Sequence, residues 1–171
     1  ALNPYSHTKI LGEDLCKSYN NNFGVPVTII RPSNIYGYGQ NKNFLMPTIM
    51  GQLHNKTLKL KDKNPKRDYI YIKDIINAYI KCLNMNDHKF RIFNIGSGKS
   101  YSVETIANMI ITESKKDISI EFEESDRKNE VMDLMYDIKK ANKILKWKPK
   151  YSLQNGIKEM VTQNKTYTRG L

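Results

Sequence analysis

The sequence predicts an α/β fold, in which strands and helices alternate along the chain. Residues 25–31 form a largely apolar run rich in β-branched side chains, which is typical of a parallel strand buried on both faces. Residues 66–73 alternate, with tyrosines on one face and isoleucines on the other, as in a strand that lines a site. Elsewhere, apolar residues recur at helical spacing behind residues that favour helix starts.

The first half of the chain begins with a helix predicted over about residues 5–20, which an Asn-Pro pair initiates. The turn-like segment 20–24 ends this helix, and the strand at 25–31 stops at Pro32. A loop with two glycines then leads to a helix around residues 46–54.

The second half continues the alternation, with strands predicted over residues 90–95 and 118–122. Four polar residues are predicted N-caps, because each precedes an apolar pattern of helical spacing: Asp74, Ser102, Asp137 and Ser152. The four helices that follow them are predicted to end near residues 83, 113, 145 and 163.

Length and composition fit one domain, or one and a half, because the chain has 171 residues and is 39% hydrophobic. No apolar run is long enough to span a bilayer and no signal-peptide pattern opens the chain, so we expect a cytoplasmic protein without a membrane partner. Cys16 and Cys82 show no motif spacing and are interpreted as reduced core residues. The histidines show no metal-ligand spacing, so no metal site is expected.

The formal net charge of +11 makes nucleic-acid binding an alternative to consider. The lysines are scattered among Asp and Glu residues, and the sequence contains no block of five or six like charges. A solvated, Lys-rich surface is therefore favoured, and no nucleic-acid partner is expected.

The spacing Tyr-x-x-x-Lys points to acid/base chemistry, because on a helix it brings a phenol and an ammonium to one face. A free phenol is protonated at neutral pH, and a neighbouring ammonium favours its ionised form. The spacing occurs four times, beginning at Tyr5, Tyr38, Tyr69 and Tyr136. Only Tyr5 and Lys9 follow a helix-starting Asn-Pro, although on spacing alone an exposed helix face remains the simpler interpretation.

Five segments, spread from one end of the chain to the other, form an ordered set. They are Pro-Tyr-Ser-His-Thr-Lys at 4–9, Ile-Arg-Pro-Ser-Asn-Ile-Tyr-Gly at 30–37, Arg-Asp-Tyr-Ile-Tyr-Ile-Lys-Asp at 67–74, Phe-Asn-Ile-Gly-Ser-Gly at 93–98 and Trp-Lys-Pro-Lys-Tyr-Ser-Leu at 147–153. The set resembles the extended short-chain dehydrogenase/reductases, and within them the NAD-dependent epimerase/dehydratase family that includes UDP-glucose 4-epimerase. Members of that family act on nucleotide sugars.

The resemblance implies the C-terminal part of a Rossmann-like NAD(P)-binding fold together with a smaller α/β substrate-binding lobe. Residues 1–40 would end the Rossmann-like domain. Residues 41–171 would form mainly the substrate-binding lobe, with residues 66–95 returning to the Rossmann-like sheet. The chain has no glycine-rich fingerprint for a cofactor pyrophosphate, so the N-terminal dinucleotide-binding half is expected to be absent.

The resemblance also implies a catalytic and cofactor-binding set. Tyr5 resembles the catalytic tyrosine, and Lys9 the lysine that orients it and binds the nicotinamide ribose. Pro32 and Ser33 fall where backbone approaches the nicotinamide. NAD or NADP would therefore bind only with the missing half, and the Ser or Thr that usually assists the tyrosine would lie upstream of Ala1.

A second implied set contacts the nucleotide-sugar substrate. Asn34 falls where an asparagine contacts phosphate or sugar, and Arg67 resembles the arginine that reaches the diphosphate, with Tyr69 two residues further on the same strand face. Arg127 and Glu130 have the spacing of a phosphate-binding arginine and a ribose-binding carboxylate. A guanidinium suits a diphosphate because its planar fork donates hydrogen bonds in pairs.

Several of these residues have a structural alternative. Asn34 could instead satisfy hydrogen bonds in a turn, and Arg67 could be a solvated surface charge. Arg127 lies in a segment that is equally typical of an exposed loop. For Asp68 and Asp74 a structural role is favoured. Phe44 falls near a position where some epimerases carry asparagine, which leaves the substrate subtype open.

Two hypotheses follow from the sequence. The chain is the downstream half of a nucleotide-sugar epimerase, dehydratase or 4-keto reductase, inactive by itself, or it is a non-catalytic nucleotide-sugar-binding fragment. A homodimer formed through the first helix is expected in either case.

Overall fold

The computed structural model describes residues 3–86, 89–124 and 130–168 and confirms the α/β fold class. Its helices are α1 (Pro4–Phe23), α2 (Leu45–Gly51), α3 (Ile72–Leu83), α4 (Val103–Ser114), α5 (Lys139–Leu145) and α6 (Leu153–Thr168). Its strands are β1 (Thr28–Pro32), β2 (Asn34–Tyr36), β3 (Thr57–Lys61), β4 (Lys66–Tyr71), β5 (Arg91–Ile95), β6 (Ser100–Ser102), β7 (Ser119–Glu123) and β8 (Asp133–Leu134).

Most of the strand pairs are parallel. β1 pairs with β5, β2 with β4, and β3 with β7, each in parallel. β4 also pairs antiparallel with β6 and parallel with β8. Parallel neighbours need long crossover connections, which agrees with the helices that separate these strands along the chain.

The core consists of two clusters of buried side chains. The Tyr36 cluster contains Tyr36, Met46, Ile49, Leu58, Leu60, Tyr69, Tyr71, Ile106, Ala107, Ile110, Leu153, Ile157, Met160 and Val161. The Trp147 cluster contains Ile70, Ile75, Ala78, Phe93, Ile95, Ala141, Leu145 and Trp147. The first packs α2, α4 and α6 onto β2, β3 and β4, and the second packs α3 and α5 onto β4 and β5.

Helix α1 contributes to neither cluster, and none of its residues is buried. The Asn3 side chain caps its start by accepting a hydrogen bond from the Ser6 amide at 2.8 Å. Gly24, in the left-handed conformation with φ 66°, ends it. An ion pair between Glu13 and Arg31 ties the helix to β1.

The prediction that Asp74 caps a helix is wrong. Helix α3 begins at Ile72, so the strand predicted to reach residue 73 ends at Tyr71. Asp74 lies in the first turn of the helix and is only 2% exposed. Its carboxylate accepts hydrogen bonds from the amides of Lys150 and Tyr151 at 2.9 and 3.0 Å. A contact across 76 residues has therefore replaced the local cap.

Other helix starts agree better with the sequence. Ser102 and Ser152 accept the hydrogen bonds expected of N-caps. Asp137 is displaced from the predicted cap position, because α5 begins at Lys139, yet its carboxylate accepts the Lys139 amide at 2.8 Å.

The structure also corrects the expectations for one strand and one cysteine. The strand predicted at 25–31 begins at Thr28 and includes Pro32. Cys16 is not a core residue, because it lies half-buried on α1, whereas Cys82 packs against the Trp147 cluster. None of the helices in the described ranges has the length and apolar character that a membrane crossing requires.

Candidate functional site

Tyr5 and Lys9 lie one turn apart and share a face of α1. The Lys9 Nζ is 5.3 Å from the centroid of the Tyr5 ring, which is a cation–π distance. Pro4 in the first turn and the Asn3 cap fix the start of the helix and hence the position of the pair. Tyr5 is 70% exposed, so its hydroxyl is open to a ligand. The geometry of the pair is as predicted, and its catalytic role stays a prediction.

Tyr136 links the start of α1 electrostatically to the interior. Burial raises the pKa of the Tyr136 phenol, and the Asp68 carboxylate raises it further. The Arg31 guanidinium opposes these two effects, and Tyr5 adds the smallest increase. The backbone of Tyr136 also contacts Asp68, because its amide donates to Asp68 Oδ2 at 3.3 Å.

Pro32 and Ser33 lie where β1 and β5 end together. Pro32 pairs with Ile95, and the Ser33 amide donates to the Ile95 carbonyl at 2.8 Å. Ser33 is 6% exposed, and its hydroxyl donates to Asp68 Oδ1 at 3.1 Å. In open α/β sheets, ligands bind outside the carboxyl ends of the strands. The segment lies at such an edge, and its contact with a cofactor stays a prediction.

Four of the predicted substrate residues line a single cleft of about 500 Å³: Asn34, Arg67, Tyr69 and Glu130. Asn34 and Tyr69 meet there because β2 and β4 pair in the register that sets them opposite each other. Of the described residues predicted for the site, Tyr5, Lys9, Pro32 and Ser33 do not line this cleft. Arg127 lies outside the described residues.

Tyr69 is a buried hydrogen-bonding group in the cleft wall. It is 8% exposed, and burial raises the pKa of its phenol. The hydrogen bond with Asn34 and the charge of Arg67 lower the pKa, but they do not offset burial. Tyr69 is therefore protonated at neutral pH and can donate its hydroxyl proton to an acceptor.

Arg67 pairs with Glu130 across the cleft, and each side chain is 21% exposed. The Arg67 Nη1 atom also donates to the carbonyls of Lys66 and Val131, at 2.8 and 2.5 Å. Arg67 is therefore not the solvated surface charge that the sequence left open. The two residues predicted to bind diphosphate and ribose contact each other in this structure.

The cleft includes residues that the sequence analysis did not identify, among them Asn43, Thr48, Lys59 and Lys61. A signal for the two lysines exists, because Thr-Leu-Lys-Leu-Lys at 57–61 alternates like a half-buried strand with both lysines on its polar face. Asn43 and Thr48 lie in the loop and helix after β2, where no periodicity distinguishes them.

Comparison with known proteins gives one consistent family. A family model described as GDP-mannose 4,6 dehydratase matches residues 1–160. The chain is 35% identical over 176 residues to a putative UDP-glucose 4-epimerase of Methanocaldococcus jannaschii, covering 98% of this chain and 55% of that protein. It is 31% identical over 170 residues to dTDP-D-glucose 4,6-dehydratase of Mus musculus, covering 93% of this chain and 46% of that protein.

Solved structures agree with these relatives. The UDP-glucose 4-epimerase of Thermotoga maritima, solved with UDP-glucose, is 25% identical with a TM-score of 0.88, over 96% of this chain and 54% of that one. The UDP-glucuronic acid 4-epimerase of Bacillus cereus, solved with UDP-glucuronic acid and NAD, is 30% identical with a TM-score of 0.86, over 97% of this chain and 54% of that one. The chain thus spans about half the length of the relatives it matches.

Proposed function

Because the chain belongs to the GDP-mannose 4,6-dehydratase family of NAD-dependent nucleotide-sugar epimerases and dehydratases, we propose that it binds a nucleotide sugar and serves hydride transfer at a sugar carbon. The observation that carries this proposal is the convergence of Asn34, Arg67, Tyr69 and Glu130 on one cleft of about 500 Å³. A cavity of that size is typical of small-molecule sites.

The cleft offers partners for the diphosphate and the ribose of a nucleotide sugar, together with uncharged hydrogen-bond donors. The Arg67 guanidinium can leave Glu130 and donate in pairs to the diphosphate, because phosphate oxygens replace the carboxylate as acceptors. Lys59 and Lys61 also line the cleft and add positive charge. Glu130, once released, can accept hydrogen bonds from ribose hydroxyls, and the neutral Tyr69 phenol and Asn34 amide supply uncharged donors.

Tyr5 is the proposed acid/base group. Its phenolic oxygen would exchange a proton with a sugar hydroxyl, while the Lys9 ammonium lies over the Tyr5 ring and orients it. Tyr5 and Lys9 would hold the ribose of a nicotinamide cofactor, and the chemistry that this group would supply is hydride transfer at the carbon that bears this hydroxyl. Tyr5 is open enough for both groups to approach, since 70% of it is exposed.

The residues present fit only the nicotinamide end of such a cofactor. Tyr5, Lys9 and the backbone of residues 32–33 would hold the nicotinamide and its ribose. The sequence contains no glycine-rich turn between a strand and a helix to cradle a pyrophosphate. We therefore propose that catalysis with NAD or NADP requires a dinucleotide-binding half beyond these 171 residues.

Other parts of the proposal rest on the family. Epimerases, dehydratases and 4-keto reductases of this family would all use Tyr5, Lys9 and the substrate cleft. The proposal therefore covers these three reactions. Residues 1–40 are proposed to end the Rossmann-like domain and residues 41–171 to form mainly the substrate lobe, with 66–95 returning to the sheet. We further propose a cytoplasmic role in carbohydrate metabolism and a homodimer formed through α1.

A second candidate is a nucleotide-sugar-binding chain without catalysis. One contrast favours it, since four predicted substrate residues line the cleft while Tyr5 and Lys9 do not. Tight NAD binding by these 171 residues would exclude it and would also overturn the need for a further dinucleotide-binding half.

Titration with UDP-, GDP-, CDP- and dTDP-glucose, followed by thermal shift and calorimetry, tests the cleft. We expect at least one of them to stabilise the chain. Arg67→Met should weaken its binding by about tenfold or more, because a charge-assisted, bidentate contact is lost. Arg31→Met is the matched control, since it breaks another Arg–Glu pair outside the cleft and should leave affinity unchanged. Absence of stabilisation by all four sugars would overturn both candidate functions.

A further inference from the structure

The buried Asp68 carboxylate is a shared acceptor for three separate segments of the chain. Asp68 is 2% exposed. Its Oδ1 accepts the Ser33 hydroxyl at 3.1 Å and both the amide and the hydroxyl of Ser97, at 2.7 and 2.8 Å. Its Oδ2 accepts the amides of Gly98 and Tyr136, at 3.0 and 3.3 Å. One carboxylate therefore joins the end of β1, the turn after β5 and the segment before α5.

The residues bonded by Asp68 adjoin those that line the cleft. Arg67 and Tyr69 flank Asp68 on β4, and Asn34 follows Ser33 at the start of β2. Because side chains alternate along a strand, Asp68 points away from the face that carries Arg67 and Tyr69. The Ser33–Asp68 hydrogen bond lies next to the Asn34–Tyr69 strand pair, so it can stabilise the register of that pair from the face opposite the cleft.

We infer that Asp68 is a positioning residue for the nucleotide-sugar cleft, acting through the register of β2 on β4. It holds no part of the ligand itself. It keeps Asn34, Arg67 and Tyr69 at fixed mutual distances by locking Ser33 and the turn at 97–98 against β4. This inference rests on the proposed function, because the cleft whose residues Asp68 positions is the proposed nucleotide-sugar site.

Position 68 requires a short side chain that carries a carboxylate. Five donors point at the two oxygens, so an Asn side chain would turn an N–H group toward donors on one side. A longer side chain has no room, because a Cβ added at Gly96 would already lie 2.7 Å from Asp68 Oδ2. Asp68→Asn is therefore the smallest change that removes the shared acceptor.

Asp74 provides a matched control within the same stretch of chain. It has the same exposure of 2% and likewise accepts backbone amides, which are those of Lys150 and Tyr151. Unlike Ser33, which precedes the cleft residue Asn34, neither of these partners adjoins in sequence a residue that lines the cleft. Asp68→Asn and Asp74→Asn should both lower stability, because each leaves buried donors without an acceptor. Only the first should disturb the cleft.

The test compares both variants with the wild type in two measurements. In the first, NMR of the ligand-free chains follows the Asn34 side-chain amide and the Arg67 Nε–H signal, which we expect Asp68→Asn to shift and Asp74→Asn to leave in place. In the second, calorimetry with UDP-glucose and dTDP-glucose should show about tenfold or greater loss of affinity for Asp68→Asn and less than about twofold for Asp74→Asn.

A milder pair of variants covers the case in which Asp68→Asn fails to fold. Ser33→Ala removes one hydroxyl bond to Asp68, and Ser114→Ala removes a similarly buried hydroxyl bond to the Ile111 carbonyl in α4. The first should shift the Asn34 signal and weaken binding, and the second should do neither.

The outcomes separate the inference from the proposed function. Unmoved Asn34 and Arg67 signals in both Asp68→Asn and Ser33→Ala would overturn the positioning role, as would an equal loss of affinity in Asp74→Asn. A wild type that binds none of UDP-, GDP-, CDP- and dTDP-glucose would overturn the proposed function, while the ligand-free NMR comparison would still decide whether Asp68 sets the geometry of the cleft.

Discussion

The Tyr36 and Trp147 clusters differ in how their helices meet the surface. Helices α4 and α6 cover the Tyr36 cluster, and among their described side chains none is a large exposed apolar group. Helix α3 covers the Trp147 cluster but leaves four large side chains at least half exposed on its outer face: Ile76, Tyr79, Ile80 and Leu83. Helix α1 has six exposed large apolar side chains, which are Tyr5, Ile10, Leu11, Leu15, Tyr19 and Phe23.

This difference separates two kinds of surface in one chain. Helices α4 and α6 bury their apolar stripes, whereas α3 and α1, the helix that carries Tyr5 and Lys9, present large apolar side chains outward. Contiguous exposed apolar surface of this kind marks an interaction site in a folded protein. Strand β4 connects the two sides, because it gives Ile70 to the Trp147 cluster and Tyr69 and Tyr71 to the Tyr36 cluster.

The largest expected effect comes from emptying the Trp147 cluster. Phe93 is fully buried on β5, so Phe93→Ala should lower the free energy of unfolding by about 3–5 kcal/mol through lost burial and a cavity. Urea unfolding followed by the fluorescence of Trp147, the single tryptophan, measures it.

Phe23→Ala is the control, because Phe23 is 73% exposed at the end of α1 and its removal should change stability by less than about 0.5 kcal/mol. Equal costs for the two variants would mean that α1 is packed in solution, and the contrast between the two sides would be lost.

A smaller effect is expected from adding one methyl group to each side. A Cβ at Gly156 in α6 would lie 2.0 Å from the Tyr36 hydroxyl, and Tyr36 is 2% exposed. Gly156→Ala should therefore cost about 1–3 kcal/mol through overpacking. At Gly12 in α1, no atom of the described residues beyond the adjoining helix turns lies within 4 Å of the added Cβ, so Gly12→Ala should stabilise by about 0.5–1 kcal/mol. Thermal denaturation measures both effects. If both variants raised the melting temperature, or both lowered it, the contrast between the two sides would be contradicted.

Local signals in the sequence predicted what local contacts decide. Ser102 and Ser152 were identified as caps because the residues that they bond lie three positions away. Tyr5 and Lys9 were expected to share a face because a helix repeats on that spacing. The cap prediction for Asp74 was wrong for the opposite reason, since its partners lie 76 and 77 residues further along the chain.

The candidate site shows the same limit. The resemblance to a family named Asn34, Arg67, Tyr69 and Glu130 as substrate residues, but their shared cleft depends on the register of β2 on β4 and on a contact across 63 residues. No periodicity encodes either. Asp68 was assigned a structural role, yet its set of five donors follows only from the folded arrangement of three segments.

The exposed apolar stripe of α1 can be tested directly by a substitution that should change stability least. Leu15 is 60% exposed, so Leu15→Glu should alter the free energy of unfolding by less than about 0.5 kcal/mol. If α1 forms the proposed homodimer, the buried carboxylate at the interface should abolish self-association in sedimentation velocity. Lys17→Gln makes the same change in net charge about 200° away around the helix and should sediment like the wild type. A wild type that stays monomeric at high concentration would instead assign the apolar stripe of α1 to a partner other than a second copy of this chain.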